Sequence, residues 1–277
     1  MSIALVTDST SDIPSELAQK NDIYIVPNLI IINGHSLEDG KDISREAFYE
    51  RLPQMKTPPS TATASSGVYQ TLYRALFRQG VEYIISIHAA SRLSGIINAA
   101  TSAAREFGER IFVQDSESVS LGLGFQALAA SEAIARRLPL QEILTLLADV
   151  RRRVRLIAML DTLEYVRRSG RVSWARARLG NLLQVKPFVE VRNGGQVVSL
   201  GEERTRKKGI ARLKALLHNL GELERLAILH TNAENEARQF LSELSLNLAH
   251  EPLIVNVTTV IGAHVGPNGL GFAAVVK

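Results

Sequence analysis

Short apolar runs alternate with amphipathic stretches from the first residues of this chain. That alternation restricts the fold more than any single motif, because repeated strand, loop and helix builds a parallel sheet covered by helices. Ile3 to Val6 reads as a first strand, after which Asp12-Ile13-Pro14 opens a helix with a cap and a proline in its first turn. Tyr24 to Ile32 is a second apolar run, Val81 to His88 a buried-type strand, Arg110 to Gln114 another, and Leu93 to Phe107 and Leu121 to Arg137 are helices. A further helix, Leu140 to Val154, ends in arginines that favour a helix C-terminus. Beyond it the pattern changes. Val185 to Val191 and Gln196 to Leu200 flank Asn193-Gly194-Gly195, a hairpin signal, and strands are expected at Leu226 to His230, Leu253 to Val260 and Phe272 to Val276. With 277 residues, two domains are expected. Residues 1–154 predict an α/β domain with a doubly wound, mainly parallel sheet, and residues 155–277 a smaller α/β domain with a mixed sheet.

No apolar run approaches the roughly 20 residues that span a bilayer, and no basic segment precedes the first strand, so a cytoplasmic protein is expected. The absence of cysteine removes disulfides, thiolate nucleophiles and cysteine-bound metals. The histidines show no metal-ligand spacing, and neither a metal nor a cofactor is expected. Charge is uneven: Arg151 to Lys214 holds 17 Lys and Arg against 5 Asp and Glu. Such a segment suits nucleic acid, an anionic lipid surface in transient contact, or an acidic or phosphorylated partner; solvated helix faces explain it equally well. Aromatics at 5% leave little stacking surface for single-stranded nucleic acid.

Three polar loops follow strand-like runs or precede helices, where ligands of open α/β sheets bind. They are Asp8-Ser9-Thr10-Ser11-Asp12, the hydroxyl-rich stretch Pro59 to Gly67, and Ala90-Ser91-Arg92-Leu93-Ser94-Gly95. Hydroxyls and free backbone N–H groups before a helix suit an anion, although capping accounts for some of them, and Asp8 and Asp12 read as loop-orienting caps. Ile261 to Gly271 is a glycine-dense turn that fixes His264, a candidate hydrogen-bond partner for an anion. Gly122-Leu123-Gly124-Phe125-Gln126-Ala127 matches a dinucleotide fingerprint in the wrong context, since polar residues separate it from the preceding strand, and close helix packing is the expected role.

Taken together, these loops resemble the DegV family, the fatty-acid-binding subunits of bacterial fatty acid kinases. The motifs run in order along the chain: Val6-Thr7-Asp8-Ser9-Thr10, Ser91-Arg92-Leu93-Ser94-Gly95, Leu160 to Tyr165 with Ser169-Gly170-Arg171-Val172-Ser173, Gln184-Val185-Lys186-Pro187, and Ile261 to Pro267. Two departures stand out. Thr61-Ala62-Thr63-Ala64-Ser65 replaces the family's T-S-Q-P-S, and Asn268 replaces a frequent glycine.

The resemblance implies a carrier without covalent chemistry of its own. A long-chain fatty acid would lie between the domains, its carboxylate held by Thr61, Ser94, Gly95 and His264 with Arg171 nearby. Its chain would be buried in the second domain, against Leu160, Leu179, Leu182, Leu183, Phe188 and Ile261. A kinase's ATP-binding subunit would phosphorylate the carboxylate to an acyl phosphate for phospholipid synthesis, with Arg204 and Arg206 on the partner surface. Two other readings stay open: an acyl ester hydrolase using Ser94 and His264 with Asp8 as third member, and a nucleic-acid binder acting through residues 151–214.

Overall fold

The computed structural model describes residues 2–172, 174–175, 185–245 and 248–277. Strands β1 (Ile3–Asp8), β2 (Ile23–Val26), β6 (Tyr83–His88) and β7 (Ile111–Asp115) form a parallel sheet in the order β2-β1-β6-β7. Nearly every residue of β1 and β6 is buried, as expected of central strands covered on both faces. Helices α1 (Ser15–Lys20), α3 (Ser66–Arg78), α4 (Ile96–Ala104), α5 (Leu121–Ala135) and α6 (Leu140–Arg153) accompany this half. On α3 the inward residues Tyr69, Tyr73 and Leu76 recur at helical spacing.

The first half also carries an element that the sequence reading merges. Tyr24 to Ile32, read as one run, is two strands, because Pro27 has no N–H to donate and interrupts the ladder. Its second part is β3 (Leu29–Ile32), which pairs antiparallel with β4 (His35–Glu38) on one side and β5 (Ser60–Ala62) on the other. This small sheet, with α2 (Arg45–Arg51) between β4 and β5 in the chain, places Thr61 opposite Ile30.

Between α6 and β8 the chain leaves the first sheet for a second one. That sheet, in the order β10-β9-β8-β13-β11-β12, is mixed: β8 (Val154–Met159), β9 (Lys186–Arg192), β10 (Gln196–Glu203) and β13 (Leu270–Val276) pair antiparallel, while β11 (Leu223–His230) and β12 (Leu253–Asn256) pair in parallel. Although this half is the shorter in sequence, its sheet is the wider. The β9–β10 hairpin turns at Asn193-Gly194-Gly195, all three in the left-handed region. Helices α7 (Glu164–Ser169), α8 (Arg206–His218), α9 (Glu234–Ser242) and α10 (Thr259–Val265) complete the described elements. The C-terminal segment departs from its sequence reading: strand β12 stops at Asn256, and Val260 and His264 lie on α10 rather than on a strand and a turn.

Helix α5 explains how the halves join. It packs against β1 and β6 of one sheet and β8 and β13 of the other, and 12 of its 15 residues are buried. A helix buried on opposite sides has no polar face, and small residues let both sheets approach. A Cβ on Gly124 would stand 2.5 Å from the Ser11 carbonyl oxygen, so the glycines at 122 and 124 serve packing. One apolar cluster accordingly runs from Leu5, Ile85 and Leu123 into Leu229, Ala273 and Val275 of the second sheet.

A buried polar seam fixes the register of the two halves. Asp12 accepts hydrogen bonds from the Thr258 N–H at 2.7 Å and the Ser120 hydroxyl at 2.5 Å, with Arg45 at 3.4 Å. Asp39 accepts from the hydroxyls of Thr258 and Thr259 and from the Thr259 N–H at 3.2 Å. Tyr49 donates to the Val257 carbonyl at 2.9 Å, and Arg45 to that of Asn256. Residues 256–259 are thereby tied to the first half immediately before α10.

Burial raises Asp12 to about 6, against the pull of Arg45 and of its hydrogen bonds. The folded protein therefore binds this proton more readily than the unfolded chain, and the carboxylate weighs against the fold above about pH 6. Its penalty, about 3 kcal/mol at neutral pH, lifts as the pH falls towards 4. Urea unfolding of the wild type and of Asp12→Asn across this range is expected to show the wild type gaining stability relative to the variant by up to that amount. A difference independent of pH would contradict the assignment. Gly124→Ala is expected to lose about 1–3 kcal/mol in the same assay through overpacking.

Candidate functional site

A cavity of about 230 Å³ lies where the two halves meet, and its wall divides by chemistry. The second sheet supplies the apolar side. Leu156 and Ala158 of β8, Val189 and Val191 of β9, and Val197 of β10 line it, with Leu160, Val166 and Val172 beyond. Ile261 and Val265 of α10 and Leu93 before α4 close it. Thr10, Asn28, Thr61, Thr63, Ser94, Ser169, Arg171 and His264 contribute polar groups.

Strand periodicity decides which side chains reach this space, since successive residues point to opposite faces. On β9, Val189 and Val191 face the cavity, so Phe188 faces the other way. It is fully buried with Met159, Leu213 and Phe272, and the Arg212 guanidinium lies 4.9 Å from its ring centre. Phe188 is thus core of the second half and does not line the cavity. Leu160 and Ile261 do line it, whereas Leu179, Leu182 and Leu183 lie outside the described residues. Sequence reasoning missed the alternating valines of β9 and β10 and the pair Leu156 and Ala158. Period-two alternation before and after the Asn193-Gly194-Gly195 turn is the signal that could have found them.

Thr61, Ser94, Gly95, Arg171 and His264, chosen from motifs spread over some 200 positions, all border the cavity. The Thr61 hydroxyl and His264 Nε2 are 3.0 Å apart, a hydrogen bond across the seam between the small sheet and α10. Burial, and then the nearby Arg171 charge, push His264 down to about 4, so it is a neutral imidazole at physiological pH. Ser94 lies just before α4, its oxygen accepting from the Ile96 N–H at 3.4 Å, and Gly95 is the helix cap. Arg171 is exposed and donates to the Ser169 carbonyl at 2.9 Å. These groups offer hydroxyls and one neutral imidazole inside, with a guanidinium towards solvent. That set can hold and orient a carboxyl group without a bidentate clamp.

Asp8 does not join them. Burial alone would raise its pKa, but the hydrogen bond and charge of His88 and the hydrogen bonds from Thr10 prevail and lower it. His88 Nδ1 stands 2.9 Å from Asp8, and His88 Nε2 stands 2.7 Å from the Ser86 hydroxyl. This Ser-His-Asp array is sealed in the core, with all three side chains fully buried and none lining the cavity. The hydrolase reading requires Asp8 on His264; the structure places it on His88 and gives His264 to Thr61.

Several of the described cations of the basic segment meet carboxylates. Arg153 meets Asp149 and Glu224, Arg168 meets Glu164, Lys186 meets Asp161, Arg212 meets Glu203, and Lys214 meets Glu243. Arg206, expected at a partner surface, is held by both oxygens of Glu236 and lies 3.7 Å from Asp161. Arg204, Lys207 and Lys208 are exposed. Among the described residues no helix is long and apolar enough to cross a membrane, and no cluster of three or more His, Asp or Glu has the arrangement of a metal site.

Comparisons with known proteins agree on one family. A model described as "Uncharacterised protein, DegV family" matches residues 2–277. The chain is 34% identical to Protein DegV of Bacillus subtilis over 98% of both chains, and 34% identical to a DegV domain-containing protein of Deinococcus radiodurans over 99% and 98% of the two. Among solved structures it is similar to a DegV family protein from Thermus thermophilus described by its fatty acid binding, with TM-score 0.90 and 30% identity over the whole of both chains. It is also similar to DegV of Bacillus subtilis, described as a fatty acid binding protein, with TM-score 0.87 and 32% identity over the whole of both. With the match spanning all but the first residue, and the loops that carry the motifs gathered on one cavity, this chain belongs to the DegV family.

Proposed function

We propose that this protein carries a long-chain fatty acid, its hydrocarbon against the second sheet and its carboxyl group at Thr61, Ser94, Gly95 and His264. The division of the cavity carries this reading: aliphatic side chains cover one wall, and hydrogen-bonding groups gather where the two halves meet. The fatty acid binding of the Thermus thermophilus and Bacillus subtilis relatives supports it. Burying about 15 methylenes at roughly 0.8 kcal/mol each gives a gross ceiling near 12 kcal/mol, before ordering costs. The head group then needs only to be oriented.

The reading extends to presentation. A carboxyl held by neutral groups, near an exposed guanidinium, can be reached by a kinase subunit that brings ATP, and transfer of the γ-phosphoryl group to the carboxylate oxygen, with ADP as the leaving group, would give an acyl phosphate. Arg171 and Arg204 are the exposed cations that would meet the added charge. ATP as phosphoryl donor implies a cytoplasmic location. The carrier itself would form no covalent bond, which separates this reading from ester hydrolysis.

The single tryptophan of the chain makes binding measurable. Trp174 packs in the apolar cluster containing Leu160, Val166 and Val189, which line the cavity, and its indole donates to the Val197 carbonyl at 3.1 Å. Titration with a saturated sixteen-carbon acid is expected to change its emission saturably at one ligand per chain, with the same mass retained in native mass spectrometry. Absence of both the emission change and the bound mass would remove the carrier reading. Thr61→Val, which deletes one hydrogen bond to the head group and leaves His264 Nε2 unpaired, is expected to weaken binding about tenfold and to lower the melting temperature by about a few degrees. Turnover of acyl esters abolished by Ser94→Ala would instead favour a hydrolase.

A further inference from the structure

Asn28 borders the same cavity, yet no motif identifies it. It follows β2, is 1% exposed, and its backbone is fully committed: the N–H donates to the Ser9 hydroxyl at 3.1 Å and the carbonyl accepts from the Asp39 N–H at 2.9 Å. Its amide nitrogen donates to Asp8 Oδ1 at 3.0 Å, with the Ser9 hydroxyl at 3.4 Å. Among the described residues the carboxamide oxygen has no partner.

The orientation of this amide is forced. Asp8 is a carboxylate surrounded by donors, namely Thr10 N–H at 3.0 Å, the Thr10 hydroxyl, His88 Nδ1 at 2.9 Å and the Ala89 N–H at 3.4 Å. Rotating the amide would set its oxygen against that carboxylate, so the nitrogen must face Asp8 and the oxygen is left over. A buried acceptor without a donor is unfavourable, and a ligand that brings a donor relieves it.

We propose that Asn28 is a further head-group contact whose carboxamide oxygen accepts a hydrogen bond from the acid proton, so that the cavity favours the neutral carboxylic acid over the carboxylate. The proposal rests on the fatty-acid reading above. A carboxylate offers only acceptors and would face the amide oxygen lone pair to lone pair, whereas the acid donates to Asn28 and still accepts from Thr61 or Ser94. The carboxylates and the neutral imidazole around this end point the same way. Asp8 and His88 stand behind Asn28, Asp39 meets its backbone, Asp12 lies on the adjoining seam, and His264 faces Thr61 as a neutral ring at physiological pH. His230 also borders the cavity and is pushed down by burial. Arg171, which is exposed to solvent, opposes the effect, as do the His88 charge beside Asp8 and the Arg45 guanidinium beside Asp12, each of them paired with a carboxylate.

Carbon-13 NMR of the protein loaded with a carboxyl-labelled sixteen-carbon acid, titrated from about pH 5 to about pH 9, reads the protonation of the ligand itself. The bound carboxyl is expected to titrate at least about one unit above the ordinary carboxyl value of about 4, and Asn28→Leu is expected to lower that midpoint by about a unit or more. Asn28→Ser, which keeps a donor for Asp8 but withdraws the amide oxygen, is expected to do the same should the leucine variant fold poorly. A long-chain primary alcohol, neutral at every pH used, is expected to bind the wild type and to lose about tenfold in affinity in either variant. An anionic carboxyl throughout in the wild type, including one whose proton has moved to His264, would overturn the proposal, as would equal midpoints in wild type and variants. Failure to obtain any bound-ligand resonance would strike the fatty-acid reading itself and this proposal with it.

Discussion

Two buried carboxylates, Asp12 and Asp39, hold the segment 256–259, and the geometry of the site depends on that grip. Removing charge from water costs several kcal/mol per ion, and it is tolerated only where donors and a countercharge surround the anion. Here the donors come from the chain just before α10, so satisfying the carboxylates and positioning that helix are one event. His264 is thereby set opposite Thr61, which the β3–β5 pairing fixes from the other side. A looser apolar contact would allow the two halves to slide, because hydrophobic packing has no direction of its own.

The apolar wall follows from a different rule. The second sheet sends one set of side chains into its own core, around Met159, Phe188 and Phe272, and the alternate set towards the first half. Those facing the cavity on β8, β9 and β10 are leucine, alanine and valine. Their modest size leaves a space that helix α5, packed against both sheets, does not fill. The cavity is thus the space that short side chains leave unfilled between two layers, and its polar end is where loops of the parallel sheet arrive at their carboxyl edge.

Much of this was legible beforehand. Strand and helix alternation, the hairpin turn and the loops bearing Thr61, Ser94, Gly95, Arg171 and His264 were all readable, because periodicity and turn chemistry are local and motif residues keep their order along the chain. The first sheet, buried on both faces, was read as a chain of apolar runs; the small sheet of β3, β4 and β5 was not, because its strands are short and β5 joins from far along the chain, although the Asn33-Gly34 turn between β3 and β4 is a local hairpin signal. Val260 and His264 were placed off a helix, since the glycine-rich sequence after Thr258 resembles a turn until its packing against Tyr49 is known.

What the sequence determined by itself was the class of fold and the kinds of groups available to a ligand, both set by short-range spacing and by residue chemistry. Only the tertiary structure decided that Phe188 turns away from the cavity, that Asp8 serves His88 and Asn28 rather than His264, and that Arg153 and Lys214 meet Glu224 and Glu243 across the fold. Each of these is a choice between partners distant in sequence. Side-chain direction, burial and charge pairing exist only once the layers have packed, and no local pattern encodes which of several candidate partners will be within reach.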